Sequence, residues 1–594
     1  AAAPAARQSG FATGPTPETR TFAWSAPKRT LLEAYDLTFA DKAFEAVKFA
    51  EGSAEVTKES LLQWVDKELI GGADPFADFA GKVPVPFPPQ GAEPADQVPP
   101  GHWVSYSRRQ LCFIAAKTLT GCNTEGYANG FLRFLETKAP YGCTPTNGEF
   151  GRAVWELLAA CSADPTLAKG AQGPSVVVAK AEEKPEVADV RAKLGQEPLS
   201  DAGLRVCQYA DGTAPLKGVA TIPEAACKQP TEEGPGRDFM TGGLKGQGLV
   251  DISAQWLGGY IWGYACGIGG GQDERLMTYF PEVFALTFFL SQHPDHPQLR
   301  EPAWILGARM LHVGLDGTTR HDHRMELDNG APFTSDLVEI EVGSKKFMVA
   351  SKTPFIGFMS ENQDFLNESA VWDGSRPIED MRESMFLARQ NRHPDQRAVD
   401  DDTWFSFMYQ VRAWHSAVAL TSYHEDVRPA LRAIVKSLGT GPFLSGLWFG
   451  DSQLGFLMIW IGHAIAAGTW ADGSRAGAPL PLQYYVYADF TENPGNQCFV
   501  HAKDACQKCL ARCAANPLPR SSFWLPDWAF MGPGNNMSCV VDSEDYCGEK
   551  GFKDVVAAYR ESTALKLWED VEAVLSAGPQ TESQVFDLLL AKRA

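Results

Sequence analysis

Residues 248–289 contain side chains that could act on a phosphate-bearing substrate. Asp251 ends a short apolar run and is followed by the glycine pair Gly258–Gly259; a second glycine-rich stretch leads to the triplet Gln272–Glu274. Glycine lets backbone amides approach a phosphate closely, and such amides bind anions. Two adjacent carboxylates suit acid/base catalysis, because each favours the protonated form of the other. The segment therefore predicts acid/base chemistry on a substrate that carries phosphate.

The composition indicates a folded, acidic protein with more than one domain. The chain has 594 residues, 44% of them hydrophobic, and is too long for one ordinary core. Its net charge of -20 argues against general nucleic-acid binding, which needs a basic surface. No apolar run reaches the ~18–20 residues of a bilayer span, so we expect no membrane span. The best candidate, residues 454–467, contains His463 and predicts a buried helix.

Helical patterns dominate the first part of the chain. Residues 28–69 and 105–137 repeat apolar side chains three and four positions apart, as amphipathic helices do. A further helix is expected near residues 151–163. The polar residues 164–200 predict an exposed insertion with partial helix, and we expect the chain to remain mainly helical up to residue 240.

The start of the second helical pattern carries an N-terminal signal. Ser105 or Ser107 is the expected N-cap, since serine side chains accept hydrogen bonds from the first free backbone amides. Apolar residues at helical spacing then predict a buried stripe, which consists of Leu111, Ile114, Ala115 and Leu119.

The pattern of apolar residues changes after Gly248. Short apolar runs, glycine turns and helical stretches alternate, which favours an α/β (α+β) fold with a mixed sheet layered by helices. The predicted domains are an N-terminal flexible and helical segment with a Pro-rich connector (1–100), a helical accessory region (101–240), a mixed-sheet core (241–485), and a Cys-rich module that ends in a C-terminal helical segment (486–594). The C-terminal helical segment is predicted over residues 552–590.

The thirteen cysteines fall into two groups of six, with Cys266 between them. One group lies between residues 112 and 227, and the other crowds between residues 498 and 547. Even numbers in each group predict a disulfide framework and therefore an oxidising, secretory or extracellular location. Glycosylation sequons at Asn367 and Asn536 agree with that location.

The second cysteine group leaves an alternative open. Cys506 and Cys509 have the spacing of a zinc ligand pair, and Cys498 and Cys513 lie close in sequence. A second pair with that spacing is missing, and Cys539 and Cys547 complete an even count of six. We therefore favour disulfides over zinc in this module.

Three separated segments, in the same order, resemble the poly(ADP-ribose) glycohydrolase family. They are Ser107-Arg108-Arg109-Gln110-Leu111 with the helix after it, residues 248–289, and residues 433–467. The resemblance covers residues 100–470. It implies a macrodomain-like mixed sheet flanked by helices, with a helical N-terminal region; the Cys-rich C-terminal extension lies outside it.

The resemblance also implies roles for individual residues. Glu274 corresponds to the family's catalytic acid/base, and Asp273 stands where the family has its first glutamate. The implied substrate-binding residues are Asp251, which helps to hold the adenine, the loop residues Gly258, Gly259 and Gln272, and Gly446, Gly450 and Asp451 of a second phosphate loop.

The implied substrate is ADP-ribose, poly- or mono-, attached to protein, and the implied reaction needs no cofactor and no metal. Cleaving a ribose–ribose bond passes through an oxocarbenium-like state while a carboxylic acid protonates the departing oxygen. That acid must hold its proton near neutral pH, which burial or a neighbouring carboxylate achieves. Asp273 beside Glu274 supplies the neighbour.

The chain also departs from the family pattern. The third glycine of the first loop is Tyr260, whose Cβ restricts the backbone and whose ring obstructs a phosphate. Ala254 replaces an asparagine, the spacer before Gln272 is longer, and residues 312–317 lack the aromatic side chain that the family places over its substrate. These departures favour the alternative hypothesis, a catalytically degenerate glycohydrolase-fold protein that acts as a structural or interaction subunit with a protein partner.

Overall fold

The computed structural model of the protein describes only part of the chain. The described residues are 21–24, 26–38, 46–47, 55–77, 82–84, 101–122, 147–182, 187–194, 199, 204–208, 247–251, 281–282, 302–309, 337–357, 403–440, 452–471, 480–486, 549–576 and 585–594. They belong to two compact units. Unit 1 comprises Ala1–Glu183, Lys245–Met359 and Thr421–Lys436, and unit 2 comprises Lys184–Leu244, Ser360–Leu420 and Ser437–Ala594.

The regular elements are as follows. The strands are β1 (Thr21–Ala23), β2 (Ala46–Val47), β3 (Val56–Thr57), β4 (Lys82–Pro84), β5 (Trp103–Ser107), β6 (Ser175–Lys180), β7 (Leu204–Gln208), β8 (Gln247–Asp251), β9 (Ala303–Gly307), β10 (Leu337–Val342), β11 (Lys345–Gly357), β12 (Ser437–Thr440) and β13 (Leu482–Val486). The α-helices are α1 (Leu31–Thr38), α2 (Lys58–Trp64), α3 (Arg108–Leu119), α4 (Asn147–Ala163), α5 (Pro165–Ala168), α6 (Val187–Lys193), α7 (Thr403–Val418), α8 (Arg428–Ile434), α9 (Ser452–Ala467), α10 (Glu549–Tyr559), α11 (Ala564–Ser576) and α12 (Val585–Arg593).

Unit 1 is built on a mixed sheet. Its strands follow the order β5-β6-β9-β11-β8, and β10 pairs with the first half of β11. Five of these strands pair antiparallel to one another, whereas β8 runs parallel to β11. The prediction that helices combine with a mixed sheet is therefore confirmed, whereas the macrodomain-like identity of the sheet stays a prediction.

Strand β6 corrects the prediction of an exposed insertion over residues 164–200. Its three valines, Val176–Val178, are buried, because β6 lies between β5 and β9 and β-branched side chains pack well on a pleated surface. The sequence does not predict this strand, because polar residues flank a run of only three valines. The described part of residues 101–240 also contains the strands β5, β6 and β7 beside the helices α3–α6.

Helix α3 begins as predicted, with Ser107 as its N-cap. Ser107 Oγ accepts a hydrogen bond from the backbone N–H of Gln110 at 3.1 Å, and Gln110 Oε1 accepts one from the backbone N–H of Ser107 at 2.7 Å. This reciprocal pair is a capping box, which satisfies two amides at the helix start. The predicted stripe is fully buried, and it consists of Leu111, Ile114, Ala115 and Leu119.

Two further contacts fix α3 in the helical part of unit 1. Arg109 Nη1 donates a hydrogen bond to the carbonyl of Leu167 at 3.2 Å, and Nη2 donates to the carbonyl of Glu68. A disulfide joins Cys112 of α3 to Cys161 of α4, the helix predicted near residues 151–163. Both cysteines are buried, so the covalent link lies inside the helical layer.

The other cysteines do not add a second disulfide within the described residues. Cys122 is buried and carries a free thiol, which lies 3.2 Å from Thr120 Oγ1. Cys207 lies in β7, and the predicted cysteine module at residues 498–547 lies outside the described residues, together with its zinc alternative. The disulfide framework is thus supported at one pair.

Unit 2 combines a small parallel sheet with closely packed helices. Its strands follow the order β12-β13-β7, with all neighbours parallel. Helix α9 confirms the predicted buried helix, and His463 within it is 3% exposed. α9 meets α7 at Gly462, where an added Cβ would lie 2.9 Å from Trp414 Cδ1. Among the described helices, none combines the length and the apolar character needed to cross a membrane.

The predicted C-terminal helical segment forms α10, α11 and α12 rather than one helix. α10 ends at Tyr559 and α11 begins at Ala564, so the break between these two helices lies within the described residues. Asp570 of α11 is buried and accepts hydrogen bonds from Tyr559 Oη at 3.0 Å and Lys566 Nζ at 2.8 Å. These bonds tie α10 to α11.

Candidate functional site

Asp251, the first candidate site residue, is the last residue of β8. In the sheet of unit 1 it pairs with Gly357 of β11, which pairs in turn with Ala303 of β9. Because β8 and β11 are parallel, their carboxyl ends meet at one edge of the sheet, which we call the Asp251 edge. Ligands of sheets with parallel strands commonly bind outside the carboxyl ends of those strands. Asp251 thus lies at an edge suited to ligand binding.

The second predicted phosphate loop is bracketed by described elements of unit 2. β12 ends at Thr440, and α9 begins at Ser452, directly after the predicted loop. Strand, loop and helix in this order form many phosphate sites, because the free amides at a helix start attract anions. The flanking elements therefore have the order that the resemblance implies.

Most of the sequence-predicted site residues lie outside the described residues. They are Gly258, Gly259, Gln272, Asp273, Glu274, Gly446, Gly450 and Asp451, and the departures Ala254 and Tyr260 lie there as well. Their roles stay predictions. Asp251 and Glu282 are the described residues that bracket the stretch with the triplet.

Glu282 is the centre of a buried charged cluster in unit 1, formed with Arg108 and Arg309 and called here the Glu282 cluster. Glu282 Oε1 accepts hydrogen bonds from Arg108 Nε at 2.8 Å, Arg309 Nε at 2.9 Å and Arg309 Nη2 at 2.7 Å. Oε2 accepts one from the backbone N–H of Arg309 at 2.8 Å. The side chain of Glu282 is 0% exposed, and those of Arg108 and Arg309 are 1% and 5% exposed. Both carboxylate oxygens are therefore engaged.

The Glu282 cluster lies at the sheet edge opposite the Asp251 edge. Arg108 follows the last residue of β5, and Arg309 follows β9 by two residues. β9 starts at the Asp251 edge, where Ala303 pairs with Gly357, and it runs away from that edge. The six residue steps from Ala303 to Arg309 correspond to about 20 Å at the rise of a strand.

Opposing effects set the charge of the cluster. Burial raises the pKa of Glu282, but the positive charges of Arg309 and Arg108 outweigh burial and hold this pKa below its usual range. Burial and the charge of Arg108 lower the pKa of Arg309 to about 9, against the attraction of Glu282. Glu282 is therefore an anion and Arg309 a cation at neutral pH. A carboxylate with its oxygens so engaged is a fixed anion rather than a proton carrier.

Sequence reasoning missed the Glu282 cluster, although a signal was present. Glu282 interrupts the apolar run that follows the triplet, and Arg309 interrupts the apolar run of β9 and the residues after it. Single charges inside apolar runs are expensive to bury unless they are paired. The partners lie far apart in sequence, with Arg108 and Glu282 separated by 174 positions, so no local pattern joined them.

Unit 2 contains two buried histidines, His415 and His463, whose surroundings keep their rings neutral. His463 Nε2 lies 2.7 Å from the carbonyl oxygen of Leu480, so Nε2 carries the proton, because a carbonyl only accepts. Burial lowers the pKa of His463 to about 4, against this hydrogen bond. Burial, and then the charge of Lys193, lower the pKa of His415 to about 4. Both rings are therefore neutral at neutral pH.

Within the described residues, no three His, Cys, Asp or Glu side chains are grouped so that they could hold a metal ion. Comparisons with known proteins do not assign the chain to a family. No protein-family model matches the sequence, and a search of curated proteins finds no significant match.

Proposed function

We propose that the chain is a hydrolase of the poly(ADP-ribose) glycohydrolase type, with a macrodomain-like sheet and Glu274 as its acid/base. The observation that carries the proposal is the position of Asp251. It ends a strand that is parallel to its neighbour in a mixed sheet, directly before the glycine-rich stretch that leads to the triplet Gln272–Glu274. The capped start of α3, within the first segment of the resemblance, adds support.

In the proposed reaction Glu274 protonates the departing ribose oxygen as positive charge develops on the sugar. It then accepts a proton from the water that attacks the anomeric carbon. Asp273 raises the pKa of Glu274 through like-charge repulsion, so that the acid is protonated when the substrate binds. Asp251 holds the adenine, and the glycine amides hold the diphosphate. The substrate is ADP-ribose attached to protein.

The substitution Glu274→Gln tests this proposal, because it removes the acid and keeps the side-chain shape. Release of labelled ADP-ribose from ADP-ribosylated protein should fall by ~10²–10⁴-fold. Glu339→Gln is the matched control, since Glu339 is 54% exposed in β10 and contacts Lys346 at 2.7 Å. It should leave the rate unchanged. No release by the unaltered chain, or release unaffected by Glu274→Gln, refutes the proposal.

A second candidate function is that of a structural or interaction subunit without catalysis. Tyr260 in place of a loop glycine favours it, because its side chain obstructs the approach of a phosphate to the backbone. Calorimetric titration with ADP-ribose separates the candidates. Micromolar binding by the unaltered chain supports the hydrolase. Binding that appears only after Tyr260→Gly supports the subunit with a closed pocket.

We also propose that the protein works in an oxidising compartment. The Cys112–Cys161 disulfide supports this location, since such bonds persist mainly in secreted and extracellular proteins. Mapping of cysteine-containing peptides with and without reductant tests it. Disulfide-linked peptides from residues 498–547 are expected, whereas free thiols there together with bound zinc would favour the metal alternative.

A further inference from the structure

We propose that His102 and His424 of unit 1 form an open binding site for a divalent transition metal such as Zn²⁺, with Asp426 as a positioning residue. The centres of the two imidazole rings lie 6.3 Å apart, and the ring planes are inclined by 35°. Imidazole nitrogen is a common ligand of zinc, copper and nickel. The site does not involve the residues of the proposed hydrolase.

The histidine pair lies at the Asp251 edge. Asp251 pairs with Gly357, which pairs in turn with Ala303. Ala303 pairs with Lys180, whose backbone N–H donates a hydrogen bond to the carbonyl of His102 at 2.9 Å. His102 is therefore four strands from Asp251, which corresponds to about 19 Å along the edge. The pair thus occupies the edge of the sheet that suits ligand binding.

Backbone hydrogen bonds hold the segment that carries His424 against this part of unit 1. The carbonyl of Ser422 accepts a hydrogen bond from the backbone N–H of Glu182 at 2.7 Å. The carbonyl of Asp426 accepts one from the backbone N–H of Gly343 at 3.2 Å. His424 is therefore fixed on both sides, and its ring meets the ring of His102 in a defined place.

Asp426 orients the ring of His424. Nδ1 of His424 accepts a hydrogen bond from the backbone N–H of Asp426 at 3.2 Å and lies 3.4 Å from Asp426 Oδ2. Both contacts use Nδ1, so Nε2 can bind a ligand. Within the described part of the chain, the buried Oδ2 accepts no hydrogen bond, which is costly for a carboxylate oxygen. Metal binding at Nε2 places the ring proton on Nδ1, where it can bond Oδ2, as in other carboxylate–histidine–metal sites.

The separation of the rings is close to what a shared metal requires. Zinc–nitrogen bonds of about 2.0–2.1 Å place the centres of two imidazole rings on one zinc ion about 5–6.5 Å apart, depending on the angle at the metal. The separation of 6.3 Å lies at the upper end of this range, so a closure of about 1 Å gives a tetrahedral angle. The side chain of His424 is 23% exposed, which leaves room for this movement. The pair supplies two ligands, and water completes the coordination of the metal.

The charges around the pair favour a cation. Two carboxylates lie close to it, those of Asp426 and Glu182. Glu182 lies beside the start of β5, because a Cβ on Gly101 would be 2.9 Å from Glu182 Cγ. Lys180, opposite His102, brings one positive charge. The two carboxylates outnumber this ammonium group, so the surroundings attract a divalent ion. A bound metal would link the start of β5 to the segment before α8.

Hydrogen–deuterium exchange of the full chain at increasing Zn²⁺ concentration tests the site. Zn²⁺ should slow exchange of the amides in residues 101–107 and 421–427 by at least ~10-fold, because opening these segments releases the metal. The amides of α9 should keep their rate. His102→Gln and His424→Gln each remove one ligand, and each should raise the Zn²⁺ concentration for half-maximal protection by at least ~10-fold.

Two carboxylate substitutions separate positioning from general charge. Asp426→Asn should raise the half-maximal Zn²⁺ concentration by ~10-fold, since partners that orient a metal-binding histidine contribute ~10–100-fold to affinity. Glu339→Gln is the matched control, because it removes one exposed carboxylate from unit 1 away from the pair, and it should leave the value unchanged.

The outcomes decide the proposal without any measurement of hydrolysis. Protection of both segments that is weakened by either histidine substitution supports the site. No protection at millimolar Zn²⁺ overturns it, and so does protection that neither histidine substitution weakens or that occurs only elsewhere in the chain. An equal shift by Asp426→Asn and Glu339→Gln overturns the positioning role of Asp426.

Discussion

Removing the Cys112–Cys161 disulfide should destabilise the helical part of unit 1 by an amount that its position allows us to estimate. The bond closes a chain segment of 49 residues. A cross-link of that length lowers the entropy of the unfolded chain by about 14 cal/mol/K, which corresponds to about 4 kcal/mol at 25 °C. The double substitution Cys112→Ala/Cys161→Ala removes the link and leaves no single thiol to form a wrong pair.

The double substitution also removes two buried sulfur atoms, and this packing loss needs its own control. Cys122→Ala supplies it, since Cys122 is only 1% exposed in the same part of the chain and forms no disulfide. Cys122→Ala removes one buried sulfur atom, so twice its loss of unfolding free energy gives the packing contribution to the double substitution. The remainder is the loop-closure part, which we expect to be about 4 kcal/mol.

Native-state hydrogen exchange under nonreducing conditions is a suitable assay, because it gives the free energy of opening for each segment. Peptides from α3 and α4 report the helical part of unit 1, and peptides from α9 in unit 2 serve as the internal reference. A loop-closure part below about 1 kcal/mol would refute the entropic reasoning. If the free energy of opening fell as much in α9 as in α3 and α4, the effect of the disulfide would not be local.

Two further predictions concern buried positions. Stability of unit 2 should fall as the pH is lowered from about 6.5 to about 4, because the unfolded chain takes up protons on His415 and His463 that the folded chain excludes. Each ring contributes roughly 3 kcal/mol, and His463→Gln should remove its share of this pH dependence in urea titrations. Gly307→Ala should cost more than about 2 kcal/mol in urea unfolding, because φ is +89° and the new Cβ would lie 2.5 Å from the carbonyl oxygen of Ser175. Gly170→Ala, at φ +88° with open space around it, measures the backbone part alone, and an equal cost at both glycines would contradict the predicted clash.

Features set by local chemistry could be predicted from the sequence. The start of α3 follows from a serine three residues before a glutamine, a spacing that forms a capping box in isolation from the rest of the fold. Its buried stripe follows from the helical period, and the buried helix around His463 follows from a run too apolar for the surface. In each case the signal lies within one turn or one element.

Features set by distant partners could not be predicted in the same way. Ser175–Lys180 was hidden because only three consecutive valines mark it, and its burial depends on β5 and β9 on either side. The Glu282 cluster was hidden because its arginines stand at the ends of two separate elements. Asp251 was placed correctly at the end of a strand, since a short apolar run followed by glycines marks such an end locally.

The Glu282 cluster has a consequence for how the chain folds during synthesis. Residues Arg108 and Glu282 are 174 positions apart, so at 5–20 residues per second Glu282 leaves the ribosome about 10–35 s after Arg108. The residues of α3 and of the disulfide loop, which end at Cys161, are all synthesised before that moment. Arg108 therefore lacks the carboxylate of Glu282 during this interval, and burying its charge without that partner would be costly. We expect this late neutralisation to make closure of the sheet of unit 1, rather than formation of its helices, the slow step of assembly.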